Sequence, residues 1–152
     1  MNQLDGRILR SQKSQNLILD AIIKLINNGN LYPTAQEVAK ESGIAIRTVF
    51  RQFADMESLL MKVDELINEK LLNEESYINM SLSLSERLKK IIDERVYFYN
   101  KYENIMIATV TQLPKYKILQ KRYPEYQKLL RKRTEEIIPE ILTLKSNSQE
   151  LL

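Results

Sequence analysis

Residues 34–53, TAQEVAKESGIAIRTVFRQF, carry the signals of two short helices joined by a tight turn. Thr34 stands three residues before Glu37, the spacing at which a hydroxyl and a carboxylate cap each other's backbone amides at a helix start. Gly43 lies where the first helix must end, because glycine adopts the positive φ of a helix C-terminus without a steric penalty. After Gly43 the spacing predicts a second helix, whose apolar stripe is formed by Ile44, Val49 and Phe53.

The other side of this second helix is predicted to face outward. Arg can donate two hydrogen bonds to a guanine edge and Thr can hold a phosphate, so an exposed helix N-terminus with these residues suits the major groove of DNA. A plain helical hairpin uses the same pattern for packing, so this segment alone leaves both interpretations open. The residues predicted to be exposed are Ala45, Ile46, Arg47, Thr48 and Arg51.

The flanking segments favour DNA binding. A helix is predicted over residues 11–27, because apolar residues recur there at helical spacing, and it ends in the turn-forming run NNGN at 27–30. After the central segment, Asp55 is a good N-cap, and apolar residues continue at helical spacing from Met56 to Leu71. Three helices in this order, followed by a fourth, are therefore expected.

The order ILDAIIKLI, NGN, TAQEVAKESGIAIRTVFRQF, ADMESLL closely resembles the N-terminal DNA-binding domain of TetR-type (tetracycline-repressor-like) transcriptional regulators, over residues 10–63 and without a gap. The resemblance implies an all-α protein with an N-terminal three-helix helix-turn-helix DNA-binding head, residues 1–55. It implies a short helical ligand-binding and dimerisation body at 56–152. Because relatives carry one or two more helices, a reduced dimer interface and a chain incomplete at its C-terminus are both left open.

By position, the resemblance implies a phosphate contact at Thr34 and a base-reading edge at 45–48. Phe50 stands where the family usually has a tyrosine, and Met56 where it usually has a lysine, so two phosphate contacts are missing. Ala45 replaces a common serine, which weakens the helix cap by about 1 kcal/mol. We therefore expect weaker or more sequence-dependent binding. The complete predicted DNA-binding set is Thr34, Ala45, Ile46, Arg47, Thr48, Phe50, Arg51 and Lys13.

Composition limits the other functions. Three Gly and four Pro among 152 residues predict helices throughout. With no Cys and no His, the chain lacks thiolate ligands, the commonest general base and the commonest transition-metal ligand. We therefore expect no catalytic residues, no metal, no cofactor and no enzymatic activity. Short apolar runs interrupted by charges predict no membrane span and no secretory signal, hence a cytoplasmic protein.

Charge is distributed unevenly along the chain, whose formal net charge is +3. Residues 1–13 carry three bases and one acid, which suits either an arm that reaches DNA phosphates or a solvated tail. Residues 55–103 have seven bases and eleven acids, and residues 115–133 have eight bases and one acid. That basic run could bind nucleic acid, anionic lipid or an acidic partner. We expect a solvated helix face, because the family's body sits away from the duplex.

Further helices are predicted in the body. The polar segment 73–85 ends in a second capping box, Ser83 with Glu86. Helices are then expected to about residue 100, over 103–112, from about 115, over 125–138 and up to 144, with Pro114, Pro124 and Pro139 at the breaks. The polar tail 145–152 is expected to be frayed.

Aromatic side chains of the body are candidates for a cavity that takes a small apolar or aromatic effector, because tyrosine offers both an apolar ring and a hydroxyl. The alternative is that these rings pack the core or a dimer seam with their hydroxyls in water. The predicted pocket residues are Tyr97, Tyr99, Tyr102, Met106 and Tyr116.

The leading hypothesis is a homodimeric transcriptional regulator, a repressor released by an effector, that reads a near-palindromic site in double-stranded DNA. The alternative is a protein-interaction module in which the helix-turn-helix has lost or reduced DNA binding, in keeping with Phe50 and Met56. The operator, the effector, the regulated genes and the choice between repression and activation are not encoded in any motif of the chain.

Overall fold

A computed structural model describes residues 6–74 and 78–143, and these residues form helices with no β-strand among them. The all-α prediction is confirmed. A further helical segment covers 140–143, and the predicted frayed tail lies outside the described residues. The helices, in chain order, are α1 (Gly6–Asn27), α2 (Ala35–Ser42), α3 (Ile46–Gln52), α4 (Met56–Glu74), α5 (Leu84–Gln112) and α6 (Lys117–Ile137).

The two turns of the N-terminal part have the glycine chemistry that the sequence predicts. After α1, Gly29 has φ 92°, and the amides of Gly29 and Asn30 donate to the carbonyls of Ile26 and Leu25 at 2.9 and 3.0 Å. This is the bonding pattern of a helix that ends at a left-handed glycine. Gly43 has φ 67° after α2 and donates to the Lys40 carbonyl. Both helices therefore end where their glycines allow.

The predicted capping box at the start of α2 is confirmed. The Thr34 amide donates to the Glu37 carboxylate at 2.7 Å, and the Glu37 amide donates to the Thr34 hydroxyl at 3.3 Å. The second box, Ser83 with Glu86, opens α5 in the same way. Two helix starts are thus fixed by local hydrogen bonds that the sequence spacing alone encodes.

One hydrophobic core connects all the helices. Its innermost side chains have at most 2% of their surface exposed, and burial of each contributes about 1.5–3 kcal/mol. Phe98 and Tyr102 of α5 extend this core toward Leu130 of α6, so it continues past the predicted boundary at residue 55. The innermost residues are Ile18, Ile22, Ile26, Val38, Val49, Leu59 and Val63.

Helix α6 runs parallel to α4, and α5 runs antiparallel to both. The Ile118 amide at the start of α6 donates to Glu57 of α4 at 2.9 Å, and Arg122 pairs with Glu65 one to two turns further along both helices. The last turn of α5 returns to the N-terminal part, where Gln112 Nε2 donates to the Leu31 carbonyl at 2.9 Å. The N-termini of α4 and α6 therefore lie at the same end as α1–α3. We call α1–α3 the head and α4–α6 the body.

Two predicted breaks are wrong. The predicted gap around 100–103 is a kink within α5, where Tyr102 has φ −116° and ψ 17°. The chain stays helical on both sides because the Phe98 and Tyr102 rings pack 4.6 Å apart in the core. Pro124 lies inside α6 instead of opening a new helix. The Arg122–Glu65 ion pair before it and the packing of Tyr126 after it hold the helix together despite one lost backbone bond.

At the far end of the body, a second small cluster is formed by Ile78, Ile91 and Ile138. Beside it, the buried Arg87 of α5 donates to the Ile137 carbonyl at 2.5 Å and forms an ion pair with Glu140. This pair ties the end of α6 and the following turn to α5, and the hydrogen bond from Arg87 lowers the pKa of the Glu140 carboxyl.

Candidate nucleic-acid interface

Helix α3 presents its N-terminal half to solvent. Val49 and Phe53, 2% and 8% exposed, anchor it to the core. Thr48 is half-buried, and the amide of Thr48 donates to the Ala45 carbonyl at 2.7 Å. This short helix is therefore held by one side while the other remains accessible. The predicted DNA-contact residues of this segment with exposed side chains are Ala45, Ile46, Arg47, Phe50 and Arg51.

A groove of about 750 Å³ separates the first turns of α1 from the N-terminus of α3. The Ser11 hydroxyl donates to Gln52 across it at 3.1 Å, which fixes the two helices relative to each other. Its charged lining consists of arginines, and the described residues that line it include no carboxylate. We call it the arginine groove. Its lining residues are Arg7, Arg10, Ser11, Ser14, Gly43, Ile44, Ala45, Thr48, Arg51 and Gln52.

Three arginines at this surface have no carboxylate within ion-pairing distance in the part of the chain that the structure describes: Arg10, Arg47 and Arg51. Their side chains are exposed, as is that of Lys13 on the same helix as Arg10. On the other side of the head, by contrast, Lys24 pairs with Glu41. Because exposed guanidinium groups without partners keep their capacity to donate, this surface can bind an anion with two or more acceptors.

Thr34 is less available for a phosphate than the resemblance implies. Its hydroxyl and its amide both donate to Glu37, each at 2.7 Å. The backbone hydrogen bond from Thr34 is the main cause of the lowered pKa of Glu37, so this carboxylate is ionised at neutral pH. A phosphate at Thr34 would have to displace this like-charged group.

The N-terminus of α4 is likewise occupied by the chain itself. The Ser58 amide donates to Asp55 Oδ1 at 2.7 Å, which confirms Asp55 as the N-cap and lowers its pKa. Met56, at the position where the resemblance implies a lysine, is half-buried against the core. At the start of α3, Ala45 makes no side-chain cap. Neither Met56 nor Ala45 therefore supplies a cationic or hydroxyl group to a phosphate at its helix start.

In the body, a small cavity of about 40 Å³ lies between α4, α5 and α6. Pockets that take a drug-sized ligand measure about 300–1,000 Å³, whereas this space holds little more than a water molecule. Asp64 lines it, and burial raises the pKa of this carboxyl, while Asn68 donates to it at 3.0 Å. The lining residues are Asp64, Ile67, Asn68, Phe98, Ile105, Met106, Thr109, Val110, Tyr123 and Tyr126.

Of the predicted pocket residues, Met106 lines this cavity. Tyr102 packs in the core, Tyr116 is half-buried against it, and Tyr97 and Tyr99 are exposed at the surface. Sequence reasoning did not single out Asp64, Asn68 or Thr109. The available signal was the polar pair Asp64 and Asn68, four residues apart and next to the apolar stripe of α4, which puts both side chains at the edge of the core.

Comparison of the chain with protein-family models, with curated proteins and with solved structures finds no match. None of the helices within 6–74 and 78–143 combines the length and apolar content that a bilayer crossing requires. Over the same residues, no group of three or more acidic side chains converges as a set of metal ligands. The function is therefore inferred from the geometry of the exposed side of α3, the arginine groove and the cavity between α4, α5 and α6.

Proposed function

We propose that this protein is a sequence-specific, double-stranded-DNA-binding transcriptional regulator whose reading element is α3. The observation that carries the proposal is the accessible N-terminal half of α3 beside the arginine groove, with Arg10, Arg47 and Arg51 lacking carboxylate partners among the described residues. In this proposal α2, Gly43 and α3 form a helix-turn-helix. The remaining helix of the head, α1, packs against it.

The chemistry of each group suggests its role on DNA. The major groove is about 12 Å wide and admits one α-helix, so α3 can enter it while α1 stays at the backbone. Arg47, on the exposed first turn of α3, is the candidate for a bidentate contact to guanine. Arg10, Arg51 and Lys13 are candidates for phosphate contacts, which position a protein without reading sequence.

A homodimer is part of the proposal, and an apolar stripe on α5 supports it. Six of the large apolar side chains on this helix with 38–56% of their surface exposed form a stripe, and they follow one another at three- or four-residue steps from Leu88 to Tyr99 and from Ile107 to Val110, as in a helix-packing seam. Two copies packed through this stripe would present two α3 helices to a near-palindromic site. The stripe consists of Leu88, Ile92, Val96, Tyr99, Ile107 and Val110.

The effector site is proposed at the cavity between α4, α5 and α6. Because the cavity is only about 40 Å³, an effector must push α4 away from α5 and α6 to enter it. Helix α4 begins four residues after the end of α3, so such a movement would alter the position of the reading element. Release of DNA then follows from the different affinities of two states for the effector.

Selection of bound sequences from a random duplex library, at one stated salt concentration, tests the proposal. The wild-type protein is expected to enrich a near-palindromic motif, and Arg47→Ala is expected to lose preference at one base position in each half-site. Arg131→Ala, an exposed arginine near the end of α6, is the control and should enrich the wild-type motif. Enrichment of no motif by the wild-type protein would contradict the proposal.

The alternative function, a protein-interaction module, is favoured by one observation. Ile46 and Phe50, four residues apart on α3, have 40% and 47% of their surface exposed. Two apolar side chains at this spacing also suit a protein groove. If Ile46→Ser with Phe50→Ser abolishes binding to a protein partner while no duplex is retained by the wild type, the alternative is the correct function.

A further inference from the structure

The basic run 115–133 is divided between two ends of the molecule. Because α6 runs parallel to α4, the first turn of α6 lies beside the head, where Glu57 accepts from the Ile118 amide at 2.9 Å. The last turn of α6 lies at the opposite end, next to Arg87 and the second small cluster. The lysines of this run therefore differ in their distance from the head although they share one helix.

The N-terminus of α4 is electrostatically unsuited to phosphate without help. It carries two acids, Asp55 and Glu57, and Met56 lies between them. Asp55 is kept ionised by its hydrogen bond from the Ser58 amide, which lowers its pKa. A phosphate approaching this helix start would meet like charge and an amide that is already bonded.

Cations from α6 lie against this helix start. A groove of about 440 Å³ is lined by Glu57, Ser58 and Met61 of α4 together with Lys117, Ile118 and Lys121 of α6. Lys117 and Lys121 are one turn apart on the same face and both are exposed. Over the described residues neither lysine has a carboxylate in ion-pairing distance, and Glu57 is engaged by the Ile118 amide.

We propose that Lys117 and Lys121 bind backbone phosphates of the same duplex that α3 reads, and so replace the cation that the α4 N-terminus lacks. The inference rests on the proposed function. A helix in the major groove has a phosphate backbone on each side, separated by about 12 Å. The start of α4 is four residues from the end of α3, and the groove lined by Lys117 and Lys121 adjoins that start. The two lysines therefore lie within reach of the flanking backbone.

The far end of the same helix face provides a matched comparison. Lys128 and Lys132 follow Lys117 and Lys121 by eleven residues, which is close to three full turns, so they point the same way about 16 Å further from the head. Both are exposed, and Lys132 has Glu136 at 3.8 Å as a weak partner. We expect this end of the basic run to remain in solvent when the protein binds DNA.

The test compares two double variants. The near pair combines Lys117→Gln and Lys121→Gln, and the far pair combines Lys128→Gln and Lys132→Gln. Both lose the same charge from the same helix. The dissociation constant for a selected duplex is measured from 50 to 300 mM KCl, and thermal denaturation verifies that both variants remain folded. The magnitude of the slope of log K against log salt is expected to fall by about 3.6 for a dimer that carries the Lys117 and Lys121 substitutions, about 0.9 for each of four lost phosphate contacts, and to stay at the wild-type value for the Lys128 and Lys132 substitutions.

Base preference in the near-pair variant should be unchanged, because phosphate contacts carry no direct sequence information. Equal slopes for the near pair and the wild type would overturn the inference, and so would equal losses in the near and far pairs, which would indicate a net-charge effect. In either case the proposed function stands if Arg47→Ala still loses a base position. If the wild-type protein selects no duplex, both proposals fail.

Discussion

Three arginines of the body connect one helix to another, whereas three arginines of the head end in solvent. In the body, Arg87 binds the Ile137 carbonyl and Glu140, Arg95 donates to Thr134 at 2.6 Å, and Arg122 pairs with Glu65 at 2.7 Å. The head arginines Arg10, Arg47 and Arg51 have no such partner among the described residues.

The difference follows from where each region places its acceptors. Long helices that pack side by side bring carbonyls and carboxylates of one helix to the flank of the next, so an arginine finds acceptors and becomes a structural bridge. In the head, the carboxylate of Glu37 is taken by its own capping box, and the arginine groove has no acidic lining in the described part of the chain. Identical side chains thus serve stability in one region and are available for binding in the other.

Removal of a bridging arginine is the largest effect that we expect. Arg87→Ala leaves the Ile137 carbonyl without its donor and opens space beside a buried cluster. Loss of a buried donor and its ion pair costs about 2–4 kcal/mol of unfolding free energy. Urea denaturation followed by circular dichroism measures this loss, and DNA selection by the folded fraction should be unaltered.

Arg131→Ala is the control, because Arg131 is exposed and its partner Glu135 lies 3.5 Å away on the same helix. An exposed pair of this kind contributes about 0.5 kcal/mol or less. Equal destabilisation by the two substitutions would mean that burial does not distinguish the arginines, and the comparison between regions would lose its physical basis.

Arg47→Lys is expected to have the next largest effect, and on binding alone. Lysine keeps the charge but cannot form the planar two-bond contact to guanine, so discrimination at one base position should fall by about 1–3 kcal/mol. The free energy of unfolding should stay within about 0.5 kcal/mol of wild type. Competition assays with single-base variants of the selected duplex measure the discrimination. A loss that is uniform over all positions would make Arg47 a phosphate contact instead.

Local rules predicted much of the head. The Thr34–Glu37 box, the positive φ of Gly43 and the Asp55 cap are each encoded within four residues, and all three are present. The exposed side of α3 followed from the burial of Val49 and Phe53. Features set by neighbouring residues are the ones that sequence reasoning can reach, because they depend on no contact distant in the chain.

The body shows where such reasoning fails. The Tyr102 kink and the continuity of α6 through Pro124 depend on Phe98, Glu65 and other residues far away in sequence. The path of α6 beside α4, which brings Lys117 to the head, has no local signature at all. The expectation that the whole basic run lies away from DNA came from the family resemblance, and the position of Ile118 beside Glu57 is the observation from which we propose otherwise for the first turn of α6.

Ala45→Ser is expected to stabilise the protein. Ala45 occupies the N-cap of α3 with φ −57° and ψ 136° and makes no side-chain cap. A serine hydroxyl there can accept from the Thr48 amide, which is worth about 1 kcal/mol. Urea denaturation measures the gain, and Ala54→Ser, in the exposed connection to α4, is the control that should change nothing. No gain over that control would show that the α3 start is already satisfied by its backbone bonds.

The smallest expected effects concern two carboxylates, one in each region, whose pKa values are shifted in opposite directions. Burial is the main cause of the raised pKa of Asp64 in the body, although the charge of Arg122 opposes it. Hydrogen bonds from Thr34 lower the pKa of Glu37 in the head. The unfolded-state values are about 3.9 for Asp and 4.3 for Glu.

The two shifts predict opposite pH dependence. A raised folded-state pKa means that the native state binds the proton more tightly, so Asp64 lowers stability as pH rises above about 4. Glu37 adds stability above about pH 4, and this stability disappears as pH falls through its lowered pKa.

At pH 7, Asp64→Asn should therefore raise the midpoint of thermal denaturation, while Glu37→Gln should lower it. At pH 3 the Asp64→Asn difference should vanish and that of Glu37→Gln should shrink. A lower midpoint for Asp64→Asn at pH 7 would mean that attraction to Arg122 outweighs the burial of the carboxylate. The body would then resemble the head in holding its acids ionised.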